Sequence, residues 1–283
     1  MSNEGYWALS LVGSTEAFER ALTSLFEAGC LGTAELDGGP PVAYFSRRAD
    51  PDAIVRLVLR EPGLEVKALD SLPERDWLAL WRRDFKGLPI GERFYVQPSW
   101  EAPYQGSRIV LRIDPERAFG TGTHETTRLS VSLLELYLEP GLSVLDAGSG
   151  TGILAMAAAH LGATAVLAVE ADPDAARCAS ANVALNQVGD RVTVVRGSFE
   201  DARFEAHDLV VANLSADLLA GSFSRLSELV APNGILILGG ILIEQEEDVQ
   251  GAAPESVSLI ETREDGGWVS LVYRKSTCEN DAS

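Results

Sequence analysis

The sequence predicts a doubly wound α/β sheet that follows a smaller α+β unit. Apolar, strand-like segments alternate with helical segments through residues 143–275, which is the pattern of a largely parallel sheet. The first of these strands, at residues 143–147, runs directly into a turn with three glycines. The next strand, at residues 165–169, ends in the acidic residue Glu170. A glycine turn followed by a strand-terminal acid marks the ligand-binding edge of such sheets.

The glycines of the turn are Gly148, Gly150 and Gly152. Because they lack a Cβ atom, they allow the backbone to approach a ligand closely. The dinucleotide fingerprint G-x-G-x-x-G needs its third glycine where this chain has Ile153. A pyrophosphate cradle is therefore disfavoured. The alternative, a tight turn that binds nothing, does not account for the strand-terminal acid that follows in the right context.

Polar residues also follow the other strands of the predicted sheet. Ser198 comes after the third strand and Asn213 after the fourth. Ligands of doubly wound sheets bind outside the carboxyl ends of the strands, so we expect these residues beside Gly148 and Glu170 at one edge. Glu170 would accept hydrogen bonds from ribose hydroxyls. Ser198 and Asp201 are equally able to cap a turn, and their role stays open.

The composition is that of a globular protein with a strong acidic excess. Hydrophobic residues make up 46% of the 283 residues, enough for one large or two modest domains with a sizeable core. The formal net charge of −19 repels phosphate backbones, so nucleic acid is not expected as a direct partner. A basic protein or a cationic small molecule matches this charge better, although the charge also fits a role in solubility alone.

The sequence favours neither metal binding nor membrane insertion. Cys30, Cys178 and Cys278 lie far apart, which disfavours a zinc site or a disulfide framework. The amino terminus has no basic segment followed by an apolar one, so no signal peptide is predicted. The longest apolar stretch, near residues 235–243, is too short to span a bilayer. We expect a cytoplasmic monomer.

Residues 6–70 predict a small unit with the order β-α-β-β-α-β, which is that of a ferredoxin-like module. Ser14 is a candidate N-cap for the first helix, and Asp50 with Pro51 opens the second. A turn rich in glycine and proline at residues 37–41 joins the two middle strands. No catalytic constellation occurs here, so a structural appendage and a substrate-docking role fit the sequence equally well.

An amphipathic segment at residues 73–85 predicts a linker helix. Trp77, Trp81 and Phe85 share one face of it, and this stripe indicates packing rather than a ligand box. The segments that follow are a break at residues 87–89 and strands at residues 94–96 and 109–113.

A loop rich in glycine and threonine, at residues 118–127, precedes the first strand of the large sheet. Its two glycines predict a mobile segment, and its position allows it to fold over a ligand as a lid. Thr123 is a candidate N-cap of the next helix, with Thr126 as the alternative. His124 is remote in sequence from the other histidines, so we expect it to be solvated or to cap a helix rather than to bind a metal.

The remaining segments complete the alternation of strands and helices. They are helices at residues 175–185, 215–230 and 244–250, a strand at residues 235–238, and a closing hairpin of strands 257–261 and 269–273. The polar residues from 276 onward predict a loose tail.

Four motifs carry a family resemblance. They are Ala-Phe-Gly-Thr-Gly-Thr-His-x-Thr-Thr at 118–127, Asp-x-Gly-x-Gly-x-Gly-Ile-Leu-Ala at 146–155, Val-Ala-Asn-Leu at 211–214 and Gly-Ile-Leu at 240–242. Together they resemble the PrmA-type enzymes, class I methyltransferases that use S-adenosylmethionine and methylate ribosomal large-subunit protein L11. The match covers nearly the whole chain, and the loop is its most specific part. The family often has aspartate where this chain has Glu170, and either carboxylate serves for ribose binding.

The resemblance implies a Rossmann-like methyltransferase domain behind a ferredoxin-like substrate-recognition domain. The implied boundaries are residues 1–71 for recognition, 72–88 for the linker helix, 89–275 for the catalytic domain and 276–283 for the tail. The resemblance also implies S-adenosylmethionine as the cofactor, with no metal. Its implied substrate is the free basic protein L11, before assembly, methylated on lysine ε-amines and the α-amine.

The resemblance and the sheet edge together give the candidate site residues. The cofactor contacts are Thr127, Gly148, Glu170 and Asn213, accompanied by Phe119, Gly120, Gly150 and Ser198. The catalytic pair is Asn213 and Leu214.

The acceptor amine has to be neutral to attack a methyl group, whereas lysine has a reference pKa of about 10.4. Partial desolvation under a closed lid favours the neutral form. Asn213 is able to orient the amine but not to act as a base, and no dedicated base is evident. Two alternatives remain: a related enzyme that methylates another basic protein or a small amine, and a regulatory module that binds S-adenosylmethionine. The intact Asn213, loop and glycine turn disfavour the second.

Overall fold

The computed structural model describes residues 6–35, 41–46, 49–72, 85–114, 118–201 and 203–277. The chain divides into two compact units, Met1–Lys86 and Gly87–Ser283. The predicted linker helix lies outside the described residues except for Phe85, as do most of the turn at residues 37–41 and residues 278–283 of the tail. Within the described part, no helix is long and apolar enough to cross a membrane.

The amino-terminal unit is a four-stranded antiparallel sheet with two helices. Its elements are β1 (Tyr6–Gly13), α1 (Thr15–Glu27), β2 (Cys30–Glu35), β3 (Pro41–Ser46), α2 (Pro51–Val58) and β4 (Leu64–Leu72). The strand order is β2-β3-β1-β4. Ser14 caps α1 by accepting a hydrogen bond from the amide of Ala17 at 3.2 Å, and Asp50 caps α2 through the amide of Asp52 at 3.0 Å, as the sequence predicts.

The larger unit contains a three-stranded sheet and a seven-stranded sheet. Its strands are β5 (Leu88–Ile90), β6 (Phe94–Gln97), β7 (Ile109–Arg112), β8 (Ser143–Ala147), β9 (Ala165–Glu170), β10 (Val192–Arg196), β11 (His207–Asn213), β12 (Val230–Leu242), β13 (Val257–Asp265) and β14 (Trp268–Lys275). Its helices are α3 (Glu125–Tyr137), α4 (Ile153–Leu161), α5 (Pro173–Leu185), α6 (Ala216–Glu228), a 3-10 turn (Ile243–Gln245) and α7 (Glu246–Gly251).

The seven-stranded sheet has the order β10-β9-β8-β11-β12-β14-β13. Its first five strands are parallel, and β14 and β13 close it as an antiparallel hairpin. The predicted α/β class with a Rossmann-like sheet is confirmed. The chain winds outward from β8 to β10 and then returns to β11, on the other side of β8. The glycine turn and Asn213 therefore follow neighbouring strands at the switch point, where such sheets bind ligands.

The structure corrects two element predictions. Residues 87–89 are predicted as a break, but Leu88 and Pro89 belong to the edge strand β5, in which Leu88 pairs with Val96 of β6. Pro89 is tolerated there because an edge strand leaves one side of its backbone unpaired. The predicted helix at residues 215–230 ends at Glu228, and β12 begins at Val230 because this residue pairs with His207 of β11.

Candidate functional site

The turn between β8 and α4 makes unusually close contacts with other parts of the chain. Gly148 and Gly150 have φ values of 75° and 54°, in the left-handed region that favours glycine. A Cβ atom on Gly148 would lie 2.4 Å from Cδ2 of Leu214, and one on Gly150 would lie 2.3 Å from the carbonyl oxygen of Phe119. These glycines therefore make room for two predicted site residues, and the sequence alone does not indicate this reason for glycine.

Every backbone N–H group of the turn already has an acceptor within the protein. The amides of Gly148 and Ser149 both donate to the carbonyl of Val169, at 2.9 and 3.1 Å. The amide of Gly150 donates to the Glu170 carboxylate at 2.8 Å, and the amide of Thr151 donates to the carbonyl of Phe119 at 2.9 Å. The amide of Gly152 donates to the carbonyl of Ser149 at 2.8 Å. No amide of the turn is left to form a phosphate-binding nest. These hydrogen bonds are consistent with the prediction that a pyrophosphate-binding turn is disfavoured.

Glu170 ends β9 and holds two backbone amides. Its Oε2 accepts from Gly150 at 2.8 Å, and its Oε1 accepts from Asp172 at 2.9 Å. A carboxylate has about four lone-pair sites, so each oxygen retains the capacity for a further donor. The side chain is partly exposed, which leaves that capacity open to a ligand.

Asp146 is fully buried in β8. The sequence motif at 146–155 includes this residue but predicts no separate role for it. Its Oδ2 accepts from the amide of Ala155 at 3.1 Å and so ties the strand to α4. Its Oδ1 has no hydrogen-bond partner among the described residues. Burial, assisted by the negative charge of Glu170, raises the pKa of the Asp146 carboxyl to about 7.

Asn213 ends β11, and its Oδ1 is buried without a hydrogen-bond partner in the part of the chain that the structure describes. This oxygen lies 3.2 Å from the position that a Cβ atom on Gly239 of β12 would take. The Oγ atoms of Ser130 and Ser270 lie 2.8 and 3.2 Å from the same position. Three polar oxygens, from α3, β11 and β14, therefore converge beside Gly239.

Thr127 lies one turn before Ser130 in α3, and its hydroxyl is also buried without a partner among the described side chains. Ser270 shares this condition, whereas Ser130 donates to the carbonyl of Thr126 at 2.8 Å. Sequence reasoning missed both serines. The one available signal was that Ser270 interrupts an apolar strand, between Val269 and Leu271.

Ser198 is exposed, and its hydroxyl accepts a hydrogen bond from the amide of Glu200 at 3.2 Å. Asp201 likewise accepts from the amide of Arg203 at 3.2 Å. Both side chains thus cap turns, which is one of the two roles that the sequence left open. The amide of the preceding Gly197 donates to the carbonyl of Glu170, so Ser198 lies near the carboxyl end of β9, as expected. A contact between Ser198 and a cofactor stays a prediction.

The N-cap of α3 is His124, and the predicted caps Thr123 and Thr126 are wrong. His124 has the extended backbone of a cap residue, and its Nδ1 accepts from the amide of Thr126 at 3.3 Å. Burial lowers the pKa of His124, which keeps Nδ1 available as an acceptor. The His124 ring lies edge-on between Phe119 and Trp268, with centroid distances of 5.6 and 4.8 Å. The expectation that His124 is a capping residue is confirmed.

Comparison with known proteins identifies the family. The sequence pattern described as "Ribosomal protein L11 methyltransferase (PrmA)" matches residues 5–276. The chain belongs to this family. Relatives named ribosomal protein L11 methyltransferase from Pelobacter propionicus and Pelotomaculum thermopropionicum are 41% identical over 254 residues and 38% identical over 253. These alignments cover 83% and 86% of this chain, and 81% and 82% of the relatives.

A solved structure titled as a ribosomal protein L11 methylase, from Lactobacillus delbrueckii subsp. bulgaricus, is also similar. It has a TM-score of 0.62 and 30% sequence identity, and the match covers 68% of this chain and 100% of that one. The recognition of a PrmA-type methyltransferase in the sequence is therefore confirmed.

The cofactor of this L11 methyltransferase family is S-adenosylmethionine, and the site fits it. That molecule carries a ribose but no phosphate, which suits a turn whose amides are all occupied and a carboxylate with free acceptor capacity. Among the described residues, the buried oxygens of Thr127 and Asn213 have no hydrogen-bond partner, and a polar ligand would satisfy them.

The buried carboxyl of Asp146 makes stability depend on pH. Because folding raises its pKa from about 3.9 to about 7, the unfolded chain releases the proton first, and stability falls as pH rises through this window. Asp146→Asn keeps an oxygen for the amide of Ala155 and removes the titration. Relative to wild type, we expect its free energy of unfolding to rise by roughly 1 kcal/mol per pH unit between about pH 4 and 7.

Urea unfolding at several pH values measures this difference. Asp208→Asn is the matched control, since hydrogen bonds from Ser143 lower the pKa of that carboxyl and place its titration below the window. A difference between Asp146→Asn and wild type that does not change with pH would contradict the assignment.

Gly239→Ala tests the cluster of oxygens beside Asn213. The new Cβ would meet the Ser130 hydroxyl at 2.8 Å and the oxygens of Asn213 and Ser270 at 3.2 Å, so the cluster that surrounds the Asn213 side chain has to rearrange. We expect methyl transfer to slow by about tenfold or more in a folded variant. Gly221→Ala in α6, where a Cβ meets nothing within 4 Å, is the control. Normal turnover of both variants would show that this cluster does not position Asn213.

Proposed function

We propose that this chain transfers methyl groups from S-adenosylmethionine to lysine ε-amines and the α-amine of free ribosomal protein L11. The observation that carries the proposal is the side chain of Asn213, which is partly exposed at the end of β11, the strand that pairs with β8 and lies next to its glycine turn. The oxygen of a side-chain amide accepts an N–H group of an amine. The relatives named as L11 methyltransferases support the choice of substrate.

When bound, the cofactor supplies an electrophilic methyl group, and the protein supplies position and environment. We assign the ribose hydroxyls to Glu170, because its carboxylate has spare acceptor capacity at the end of β9. The remaining cofactor contacts that we propose are Thr127, Gly148 and Asn213, with Phe119, Gly120, Gly150 and Ser198 beside them.

Asn213 and Leu214 serve the acceptor amine in this proposal. The amide oxygen of Asn213 holds an N–H group, so the nitrogen lone pair points toward the methyl group. Leu214 fixes the backbone that carries Asn213, since its amide donates to the carbonyl of Gly239 at 3.0 Å and its side chain packs over Gly148. Burial of the amine against this surface favours its neutral form, and no dedicated base is needed at the site.

The net charge of −19 supports a basic protein as the partner, since opposite charge speeds encounter and like charge repels nucleic acid. We propose that the enzyme acts as a monomer on L11 before assembly, and that residues 1–71 select the substrate. The cofactor contacts proposed above all lie beyond residue 118, which supports this division of labour.

Mass spectrometry of free L11 after incubation with the enzyme and S-adenosylmethionine tests the function. We expect methyl groups on lysines and on the α-amine, and Asn213→Ala should lower turnover by at least about tenfold while it still binds cofactor. Methylation of another basic protein or a small amine in place of L11 would favour the alternative N-methyltransferase. Cofactor binding without transfer to any amine would favour the regulatory module.

Glu170→Ala is expected to weaken S-adenosylmethionine binding by about 1–3 kcal/mol, because the ribose loses its acceptor. Glu135→Ala is the matched control, since that carboxylate also accepts two backbone amides, from Glu92 and Arg93 at 2.7 and 2.8 Å. Each substitution removes a carboxylate that accepts two backbone amides. Only Glu170→Ala should alter the affinity for S-adenosylmethionine that calorimetry measures. Equal affinities for the two folded variants would refute the ribose assignment.

A chain that lacks residues 1–86 tests the role of the amino-terminal unit. If it retains the circular dichroism of a folded α/β protein, we expect it to bind S-adenosylmethionine with nearly unchanged affinity and to lose methylation of L11. Full activity of this shortened chain on L11 would disprove the recognition role.

A further inference from the structure

Thr151 lies inside the glycine turn, is fully buried, and joins the turn to two other segments. Its amide donates to the carbonyl of Phe119 at 2.9 Å, and its hydroxyl donates to the carbonyl of Gly120 at 2.6 Å. Its own carbonyl accepts from the side-chain amide of Asn182 at 3.0 Å. Backbone and side chain of one residue thus hold the beginning of the loop at residues 118–127 against the glycine turn.

Asn182 extends the same connection to the chain before the loop. Its Oδ1 accepts from the amide of Asp114 at 2.9 Å, and it is fully buried in α5. One turn later, Asn186 accepts from the amide of Arg112 at 2.8 Å and donates to its carbonyl at 2.6 Å. The segment that leads into the loop is therefore fixed to α5.

The contact between loop and turn is reciprocal. A Cβ atom on Gly120, which has a φ of 101°, would lie 2.9 Å from Oγ1 of Thr151. A Cβ atom on Gly150 would lie 2.3 Å from the carbonyl oxygen of Phe119. Each segment thus contributes a glycine with positive φ that makes room for the other. At Gly120 and Gly150, glycine therefore allows close packing between the two segments, a role that the sequence did not predict.

We propose that Thr151 is a positioning residue, which fastens the Phe119–Gly120 segment to the glycine turn as a fixed wall of the acceptor site. The proposal rests on the proposed function, because the wall matters where an amine approaches the methyl group. It assigns no contact with the cofactor to the Thr151 side chain. The wall carries Phe119, a residue that is 42% exposed and whose ring lies beside His124, so its position limits how an acceptor side chain enters.

The test compares Thr151→Val, which removes the hydroxyl at nearly constant shape, with Thr151→Ser, which restores it. Thr164→Val is the matched control, because that hydroxyl also donates to backbone carbonyls, those of Gly141 and Leu142 at 3.0 and 3.3 Å, at the opposite end of β8. All three are made in the full chain. Each variant is measured by calorimetry with S-adenosylmethionine, by steady-state methylation of L11, and by amide hydrogen exchange without cofactor.

We expect the amide of Thr151 in the wild type to be protected from exchange even without cofactor, since it is bonded to Phe119. Thr151→Val should speed this exchange and lower kcat for L11 by about tenfold. The cofactor Kd should rise by less than about threefold, because Glu170 and Asn213, which lie outside the Phe119–Gly120 segment, keep their proposed contacts with the cofactor. Thr151→Ser should recover most of the lost kcat, and Thr164→Val should behave as wild type.

Two results would overturn the proposal. In the first, the Thr151 amide exchanges freely without S-adenosylmethionine and becomes protected only with it, which describes a mobile lid. In the second, Thr151→Val loses cofactor affinity by as much as it loses turnover. If the wild type does not methylate L11, the proposed function fails, whereas hydrogen exchange still decides whether the wall is fixed.

Discussion

The larger unit depends on how closely the glycine turn approaches its neighbours. Three glycines with positive φ let the turn lie close to Leu214, Phe119 and Ala179, and a side chain at Gly148 or Gly150 would overlap Leu214 or Phe119. A Cβ atom on Gly152, the third of them, would lie 3.3 Å from Cβ of Ala179 in α5. The end of β8 is thereby locked to the end of β11, to the loop before α3 and to α5.

The hydrogen bonds of the glycine turn explain how a sheet of this topology distinguishes a phosphate-bearing dinucleotide from S-adenosylmethionine. Dinucleotide-binding sheets leave the amides of their glycine turn free for phosphate. Here each of those amides is bonded inside the protein, while oxygens on Glu170, Thr127 and Asn213 remain able to accept. The amides of this turn are therefore occupied while these oxygens remain available, which suits the hydroxyl groups of a ribose better than a pyrophosphate. The acidic surface extends the same preference to the scale of the whole chain.

The sequence predicted the sheet and the residues that end its strands, because alternating apolar segments, glycine turns and terminal acids are local patterns. It did not predict β5, since a three-residue edge strand with a proline resembles a break until its partner is known. The His124 cap was anticipated only as one of two possibilities, and the threonines around it were stronger candidates by residue type. Ser130 and Ser270 are separated by most of the larger unit in sequence. Only the packing of α3 against the sheet brings their hydroxyls to Asn213.

The reciprocal glycines at positions 120 and 150 have a consequence for evolution and engineering. Because each leaves the space that the other segment fills, a side chain added to either one disturbs both. Loop and turn therefore have to change together, and a loop taken from a relative will fit only if its turn is transplanted with it. The natural unit of exchange in the larger unit is the interlocked pair of segments, although twenty residues separate the loop at residues 118–127 from Gly148 along the chain.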